Sequence, residues 1–250
     1  ILKVKVESME ESLIMDGDQV VGVRCDREAG DVFADVVILA DGVNSTLARK
    51  AGFHPEIKAS NVALAVKEIH FMPEELIQQR FNIKDEEGVV IEMVGKITDG
   101  MMGTGFLYTN KDSLTIGIGC MLSDFKHNDN KSSPYQLLEA MKKHPSIAPL
   151  IQGGEMKEYC AHLIPEGGFF AVPKVYGNGW MIVGDSGGFV NAVHREGSNL
   201  AMTTGRLAAE TVIQAKAAGK ALNAATLKAY QKALDESFVI SFNRSNCLTN

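Results

Sequence analysis

The sequence lacks the features that would assign it to several large classes of protein. Its four cysteines are scattered and none forms a C-x-x-C pair, so no zinc or iron–sulfur site is encoded locally. Acidic residues (31) outnumber Lys and Arg (25), and the formal net charge of −6 argues against nucleic acid as the main partner. No apolar run approaches the ~20 residues of a membrane span, and no signal peptide is visible. Isolated thiols without a signal peptide predict a cytoplasmic location.

The sequence also lacks the patterns of the common catalytic sites. It contains no Ser/His/Asp order, no metal-ligand spacing and no P-loop, so we expect no catalytic side chain and no metal site. The charged triplet His194, Arg195 and Glu196 invites a catalytic interpretation, and a structural role in holding a loop is the alternative. The chain opens at Ile1, without methionine and already in a strand-like pattern, which indicates a piece of a longer or processed protein.

Short strands and turns are present instead, followed by helices. The first forty residues alternate like a β-meander and end in residues 36–40, which are apolar on both faces and suit a strand inside a covered sheet. Antiparallel strands are predicted over 88–96, 103–108, 113–121 and 153–163. The final third is helical, with helices predicted over 197–218 and 224–242. These patterns predict an α/β fold with an antiparallel sheet in the middle of the chain.

Two dipeptides, far apart along the chain, end apolar strands and precede helices. They are Asp41-Gly42 and Gly184-Asp185. Ligands of open α/β sheets lie at the carboxyl ends of the strands, so two such ends in one sheet would face a single ligand. Glycine lets the backbone approach a ligand closely. Asp185 would accept hydrogen bonds from sugar hydroxyls, and a role as a helix or loop cap is the alternative.

Small residues and a helix start follow the second dipeptide. Gly187 and Gly188 let the chain cross a flat ring or a pyrophosphate without a Cβ clash, and a plain flexible turn is the alternative. Gly197, Ser198 and Asn199 begin the long helix, whose backbone N–H groups would stabilise negative charge on a reduced ring.

Arg49 has three interpretations. Its side chain would pair with Asp41, reach a phosphate or remain solvated.

These motifs resemble those of a known flavoprotein family. Residues 36–45, with Arg49 beyond, resemble the DG motif of flavoproteins of the aromatic-hydroxylase type, and residues 181–191 resemble their GD motif. Further similar stretches cover residues 65–68, 105–113, 162–168 and the small-residue helix 201–209. Within that superfamily the chain is similar, over nearly its whole length, to FixC and the electron-transfer-flavoprotein:quinone oxidoreductase group.

The resemblance implies an FAD-binding domain with a second domain inserted between its motifs. Residues 1–55 would be part of a Rossmann-like FAD-binding domain, with the β-meander and the DG motif. Residues 56–172 would form an antiparallel-sheet domain for the substrate or quinone, and residues 173–250 would return to the FAD-binding domain.

The resemblance also assigns roles to the motif residues. Asp41 and Gly42 would lie near the junction of the flavin domain, and Gly184 and Asp185 would bind the ribityl and pyrophosphate region of FAD. The helix start at residues 197–199 would lie by the edge of the isoalloxazine ring.

The implied reaction takes electrons from an electron-transfer flavoprotein through FAD to a quinone or a ferredoxin-like protein. A quinone acceptor would bring peripheral contact with the inner face of a membrane. The candidate surface is residues 71–81 with Met101 and Met102, and burial in the core is the alternative.

Other functions share the two motifs. An NAD(P)H-dependent flavin hydroxylase, a prenyl (geranylgeranyl) reductase and a truncated fragment without activity are the alternatives.

One departure from the family concerns the G-x-G-x-x-G segment that binds the cofactor's pyrophosphate. Gly103-Thr104-Gly105 is the nearest string, but it lacks the third glycine and runs into a strand. The sequence therefore predicts that this half-site is not in the chain. The given sequence also shows no counterpart of the cysteine-rich cluster domain that the large quinone oxidoreductases carry.

Overall fold

The chain divides into two compact units in the computed structural model. Unit 1 combines the two ends of the chain, up to Ile57 and from Pro165, and unit 2 is Lys58–Ile164. The structure describes residues 10–26, 30–191 and 196–245. The sequence placed the return to the first domain at residue 173, but Phe169 and Val172 already pack against the core of unit 1.

The elements are short, and their bounds follow in chain order. The strands are β1 (Glu10–Asp16), β2 (Gln19–Cys25), β3 (Val32–Phe33), β4 (Val37–Leu39), β5 (Val62–Phe71), β6 (Val90–Met93), β7 (Gly103–Thr109), β8 (Ser113–Met121), β9 (Glu155–Pro165), β10 (Tyr176–Gly177) and β11 (Trp180–Ile182). The α-helices are α1 (Thr46–Lys50), α2 (Glu74–Phe81), α3 (Pro134–Lys142), α4 (Ala148–Ile151), α5 (Ser198–Ala217), α6 (Ala224–Asp235) and α7 (Phe238–Ser245). This mixture of helices with an antiparallel sheet confirms the predicted fold class.

Unit 1 contains two three-stranded sheets in its described residues. β1, β2 and β3 form an antiparallel meander, and the second sheet has the order β10-β11-β4. β4 and β11 run parallel, which brings their carboxyl ends side by side. The prediction that residues 36–40 lie inside a covered sheet is wrong for the described chain. β4 lies at the edge of the described strand order, and the 37% exposure of Ile38 shows that the described residues leave one face of this strand partly uncovered.

The core of unit 1 is organised around β11. Trp180 stacks on Phe53, with ring centroids 4.1 Å apart and planes at 7°. The fully buried hydroxyl of Tyr230 on α6 donates to the carbonyl of Ile182 at 3.0 Å. Burial raises the pKa of Tyr230 far above its usual value, so the phenol stays a neutral donor.

The C-terminal helical region is broken, although the sequence predicts one helix over residues 224–242. Ser237 lies between α6 and α7. Its hydroxyl donates to the carbonyl of Leu234 at 2.8 Å and accepts from the N–H of Val239 at 3.2 Å. One side chain therefore bonds to the end of the first helix and the start of the second, a local competition with the helical backbone that periodicity does not reveal.

Unit 2 is a five-stranded antiparallel sheet with the order β6-β7-β8-β5-β9. α3 packs on one face of it through Leu137, Leu138 and Met141. A capping box at Ser133 and Gln136 fixes the start of this helix. β5, at the centre of the packing, is missing from the sequence prediction because charged residues interrupt its apolar pattern.

Glu68 on β5 is the centre of a buried polar network. Its carboxylate, whose side chain is 3% exposed, accepts from Lys142 Nζ of α3 at 2.9 and 3.0 Å and contacts His70 Nε2 at 2.7 Å. Lys142 also pairs with Glu139. Burial alone would raise the pKa of Glu68, but the hydrogen bonds from Lys142 and His70 outweigh it and hold the pKa below its usual value. Glu68 and His70 are therefore paired in the interior and do not disrupt the sheet.

The surface that the sequence singled out for membrane contact is mostly core. Ile77 on α2 is 1% exposed and packs with Leu76 and Phe81, and Met101 is buried. Met102 is 69% exposed. None of the helices in the described part of the chain combines the length and apolar character needed to cross a bilayer.

The packing at Gly117 gives a first prediction. A Cβ there would lie 2.3 Å from Phe106 Cζ and 2.7 Å from the Val66 carbonyl oxygen. Gly117→Ala should lower the free energy of unfolding by about 1–3 kcal/mol through overpacking, measured by urea unfolding followed by circular dichroism. Gly88→Ala is the control, since its Cβ would lie 3.5 Å from Thr109 Oγ1. Equal stability of both variants would contradict this account.

The hydrogen bond of the Tyr230 hydroxyl gives a second prediction. Tyr230→Phe should destabilise unit 1 by about 1–3 kcal/mol, because the buried Ile182 carbonyl loses its donor. Fluorescence of Trp180, the single tryptophan of the chain, reports on this unit. Tyr135→Phe, at a ring 53% exposed, should leave the same transition unchanged. A Tyr230→Phe transition that coincides with the wild type would show that the hydrogen bond contributes nothing.

The lowered pKa of Glu68 gives a third prediction. The folded protein favours the ionised carboxylate, so this contribution to stability is present above the unfolded pKa of about 4.3 and is lost as pH falls through the folded pKa. Glu68→Gln should be less stable than wild type at pH 7, and the difference in melting temperature should narrow with acidification. Glu86→Gln, at an exposed side chain, is the control. A difference that stays constant with pH would contradict the expected linkage.

Candidate functional site

The two dipeptides singled out from the sequence meet at one edge of unit 1. β4 pairs with β11 so that Val37, Ile38 and Leu39 lie opposite Trp180, Met181 and Ile182. Val183 N then donates to the carbonyl of Leu39 at 3.0 Å, which continues the pairing to the strand ends. Asp41-Gly42 and Gly184-Asp185 therefore follow neighbouring parallel strands and lie side by side.

Hydrogen bonds join the two motifs directly. Ser186 Oγ lies 2.9 Å from Asp41 Oδ1 and 3.1 Å from the Gly42 carbonyl oxygen. In return, the buried hydroxyl of Ser45 donates to the Ser186 carbonyl at 3.0 Å. The second oxygen of Asp41 accepts from the N–H of Leu47 at 3.0 Å, in the first turn of α1. Both carboxylate oxygens of Asp41 thus bond within the protein, and this side chain fixes one motif against the other.

Ser45 occupies the N-cap position of α1 without capping the helix through its side chain. Its backbone is left-handed, with φ at 45°, and its side chain makes no capping bond. The hydroxyl bonds to Ser186, and Asp41 satisfies the N–H of Leu47 at the start of the helix.

The second motif forms a 3-10 turn at Gly184–Gly187. Gly184 has φ at 58°, and a Cβ there would lie 3.2 Å from that of Ala201, so glycine is needed both for the backbone and for the approach of α5. The N–H of Gly184 donates to Thr204 Oγ1 at 3.0 Å. Gly187 is buried, and a Cβ there would lie 2.6 Å from the ring of Phe189.

Asp185 and the start of α5 lie close together. Asp185 is partly exposed, and a Cβ on Gly197 would be 3.8 Å from its Oδ1. Gly197 is the N-cap of the 20-residue α5 and provides no side-chain cap for it. Ser198 is exposed and Asn199 partly so, with the Asn199 Oδ1 accepting from Leu200 N at 2.8 Å. The positive end of a long helix dipole thus lies beside a carboxylate.

Two further site glycines leave open space beside their Cα atoms. Gly42 (φ 75°) and Gly188 (φ 71°) both have left-handed backbones, and a Cβ on either would meet no atom within 4 Å. The backbone at these positions is accessible to a ligand.

Arg49 is turned away from Asp41. Its guanidinium donates to the carbonyl of Asn44 at 2.7 Å and pairs with Glu56 at 2.9 Å. Of the charged triplet, His194 and Arg195 lie outside the described residues.

Three residues that hold this site together, Ser45, Ser186 and Thr204, were not predicted as part of it. Ser186 lies within the second motif, but its partner Asp41 is 145 residues away along the chain, so no local pattern identifies their bond. The sequence contains no signal for Thr204, because helical periodicity predicts only that it is one more residue of α5.

Comparison with known proteins supports a family assignment. Residues 63–164, nearly all of unit 2, match the family model described as "ETF-QO, ubiquinone-binding". The chain is 63% identical over 228 residues to "Protein FixC" of Azotobacter vinelandii, covering 91% of this chain and 52% of that protein. It is 45% identical over 234 residues to the "Probable electron transfer flavoprotein-quinone oxidoreductase YdiS" of Escherichia coli (strain K12), and this match covers 92% of this chain and 53% of that protein. The chain therefore spans about half the length of these curated relatives.

Solved structures share the fold. A geranylgeranyl bacteriochlorophyll reductase-like protein from Thermoplasma acidophilum superposes with a TM-score of 0.76 at 19% identity, covering 97% of this chain and 56% of the other. The flavin-dependent brominase Bmp2 superposes with a TM-score of 0.64 at 19% identity, covering 95% of this chain and 60% of the other.

The family model, the identities to curated relatives and the shared fold agree with the motifs read from the sequence. The chain belongs to the FixC and electron-transfer-flavoprotein:quinone oxidoreductase family.

Proposed function

We propose that the protein is an FAD-dependent oxidoreductase that passes electrons from an electron-transfer flavoprotein to a quinone. The observation that carries the proposal is the hydrogen-bonded junction of Asp41, Gly42 and Ser186, which joins two flavin-type motifs at adjacent strand ends. The names of the relatives, FixC and quinone oxidoreductase, support the reaction class.

The residues of unit 1 fit one side of an FAD molecule. Gly42 and Gly188 leave room for close approach, and Asp185 offers a partly exposed carboxylate for ribityl hydroxyls. The N-terminus of α5 at Ser198 and Asn199 would favour an electron-rich group. Bound FAD would supply the electron-transfer chemistry, and the protein would supply position and polarity.

Gly184 and Gly187 would act through the shape of the turn, since both are packed by protein atoms. Asp41 would be a positioning residue for the junction. Arg49 would reach a phosphate only after leaving Glu56, which makes it the weakest member of the proposed set.

Unit 2 would receive the quinone. The match of residues 63–164 to a ubiquinone-binding family model supports this assignment. The proposal also includes delivery of electrons to a ferredoxin-like protein and peripheral contact of unit 2 with a membrane. Exposed apolar side chains of unit 2, Phe71 (46%) and Met102 (69%), are the candidates for that contact.

Flavin binding tests the role of Asp185. FAD titrated into the purified protein and followed by flavin fluorescence should bind more weakly to Asp185→Ala by about 10–100-fold, the loss expected for a hydrogen bond to a charged group. Asp35→Ala is the control, because Asp35 is exposed and pairs with Lys216. Equal affinities of wild type and Asp185→Ala would remove Asp185 from the site.

The electron donor separates this function from its alternatives. Reduced electron-transfer flavoprotein should bleach the flavin absorbance of the loaded protein, whereas NADH and NADPH should not. Rapid bleaching by NAD(P)H would favour a hydroxylase or a prenyl reductase and contradict the proposal.

A further inference from the structure

Thr204 is a polar residue in the apolar stripe of α5. It is fully buried, and it lies one turn from Leu200 and one turn from Ala208, which both belong to the core of unit 1. Valine has the same branched shape and would bury no polar atom at this position. A buried hydroxyl costs free energy unless it is hydrogen-bonded, so the partners of Thr204 show what the residue does.

The Thr204 hydroxyl bonds α5 to the turn that follows β11. Thr204 Oγ1 donates to the carbonyl of Ala201 at 3.1 Å and accepts from the N–H of Gly184 at 3.0 Å. Gly184 is buried and also packs on Ala201, since a Cβ on Gly184 would lie 3.2 Å from that of Ala201. Both contacts use one face of α5, because residues three apart on a helix are neighbours. One packing contact and one hydrogen bond therefore hold the turn against the helix.

Thr211 shows what a buried threonine does elsewhere on the same helix. It is 7% exposed, and its Oγ1 donates to the carbonyl of Leu207 at 2.8 Å. Among the residues that the structure describes, this hydroxyl bonds only within α5. Thr204 makes a similar bond within the helix and adds the bond to Gly184. The second bond is thus the feature that distinguishes Thr204.

Tyr230 supports the same strand end from α6. On the β10 side of β11, backbone pairing reaches Ile182 N, which donates to the carbonyl of Val175 at 2.9 Å. The Ile182 carbonyl then accepts from Tyr230 Oη at 3.0 Å, and Thr204 bonds Gly184 two residues further on. Burial raises the pKa of Tyr230 and outweighs the opposing effect of a hydrogen bond with Thr204, so the two hydroxyls are neighbours. Side chains of two helices therefore hold the backbone beyond this sheet pairing.

The turn and the start of α5 contain the groups proposed to contact FAD. Asp185 directly follows Gly184, and Ser198 lies in the first turn of α5. The N–H of Ala201 donates to the carbonyl of Gly197 at 2.8 Å, so hydrogen bonds connect the N-cap of the helix to the residue that Thr204 bonds. A displacement of the turn along α5 would separate the Asp185 carboxylate from the positive end of the helix.

We propose that Thr204 is a positioning residue for flavin binding, which couples the Gly184–Asp185 turn to the N-terminus of α5. The inference rests on the function proposed above. Thr204 would not contact FAD. It would fix the separation of two groups that contact different parts of one ligand, and a site held in its binding geometry before the ligand arrives binds more tightly.

Replacing the hydroxyl with a methyl group tests this role. Thr204→Val keeps the branched shape but leaves the buried Gly184 N–H without its acceptor. FAD titrated into this variant and followed by flavin fluorescence should bind about 10-fold more weakly than to wild type, in line with the cost of a buried donor without a partner. Thr204→Ser keeps the hydroxyl and should bind FAD as wild type does. A role in packing alone predicts the opposite order, because valine fills the space of threonine and serine does not.

Thr211→Val is the matched control for Thr204→Val. It makes the same exchange on the same helix and removes only a bond to Leu207, so its affinity for FAD should equal that of wild type. Fluorescence of Trp180 shows that each variant is folded at the temperature of the titration, and Thr204→Ala removes the same acceptor if Thr204→Val does not fold. Wild-type affinity in the folded Thr204 variant without a hydroxyl would overturn the inference. Failure of the wild type itself to bind FAD would instead contradict the proposed function.

Amide hydrogen exchange gives a readout that needs no flavin. In the ligand-free protein, the Gly184 N–H should be protected in wild type, Thr204→Ser and Thr211→Val. In Thr204→Val it should exchange about 10-fold faster, because its acceptor is gone. Two-dimensional 15N NMR resolves this amide. Equal protection of Gly184 in wild type and Thr204→Val would show that Thr204 does not hold the turn and would overturn the inference.

Discussion

The hydrogen bonds of Ser186 are the constraint on which unit 1 depends. This residue ties the end of β11 to Asp41 and Gly42 at the end of β4, and Ser45 bonds back to its carbonyl. Parallel pairing brings the two strand ends together, but side-chain bonds fix the two loops that follow them. Because Asp41 also holds the first turn of α1, the position of that helix depends on the same junction.

Unit 2 places charge inside a sheet without breaking it. Glu68 tolerates burial because Lys142 and His70 bond to it, and the network connects α3 with β5 at the point where apolar packing is interrupted. A buried charged network can fix a unique packing arrangement and can also serve chemistry.

Local patterns predicted much of the fold. The strands over 103–108 and 113–121, and the long helix after Gly197, are confirmed within one residue or two. β5 was missed because Lys67, Glu68 and His70 look like a solvated segment until their partners on another element are known. The break at Ser237 was missed because one hydroxyl bonds across it. The predicted family is confirmed, and the roles of individual site residues toward FAD stay predictions.

The sequence by itself determined the fold class, the family and the two dipeptides at strand ends, because hydrophobic period and turn chemistry are local properties. Only the tertiary structure decided which side chains act together. Asp41 meets Ser186, and Glu68 meets Lys142, across long stretches of chain. A hydrogen bond depends on separation in space and on burial, and neither can be read from one segment alone.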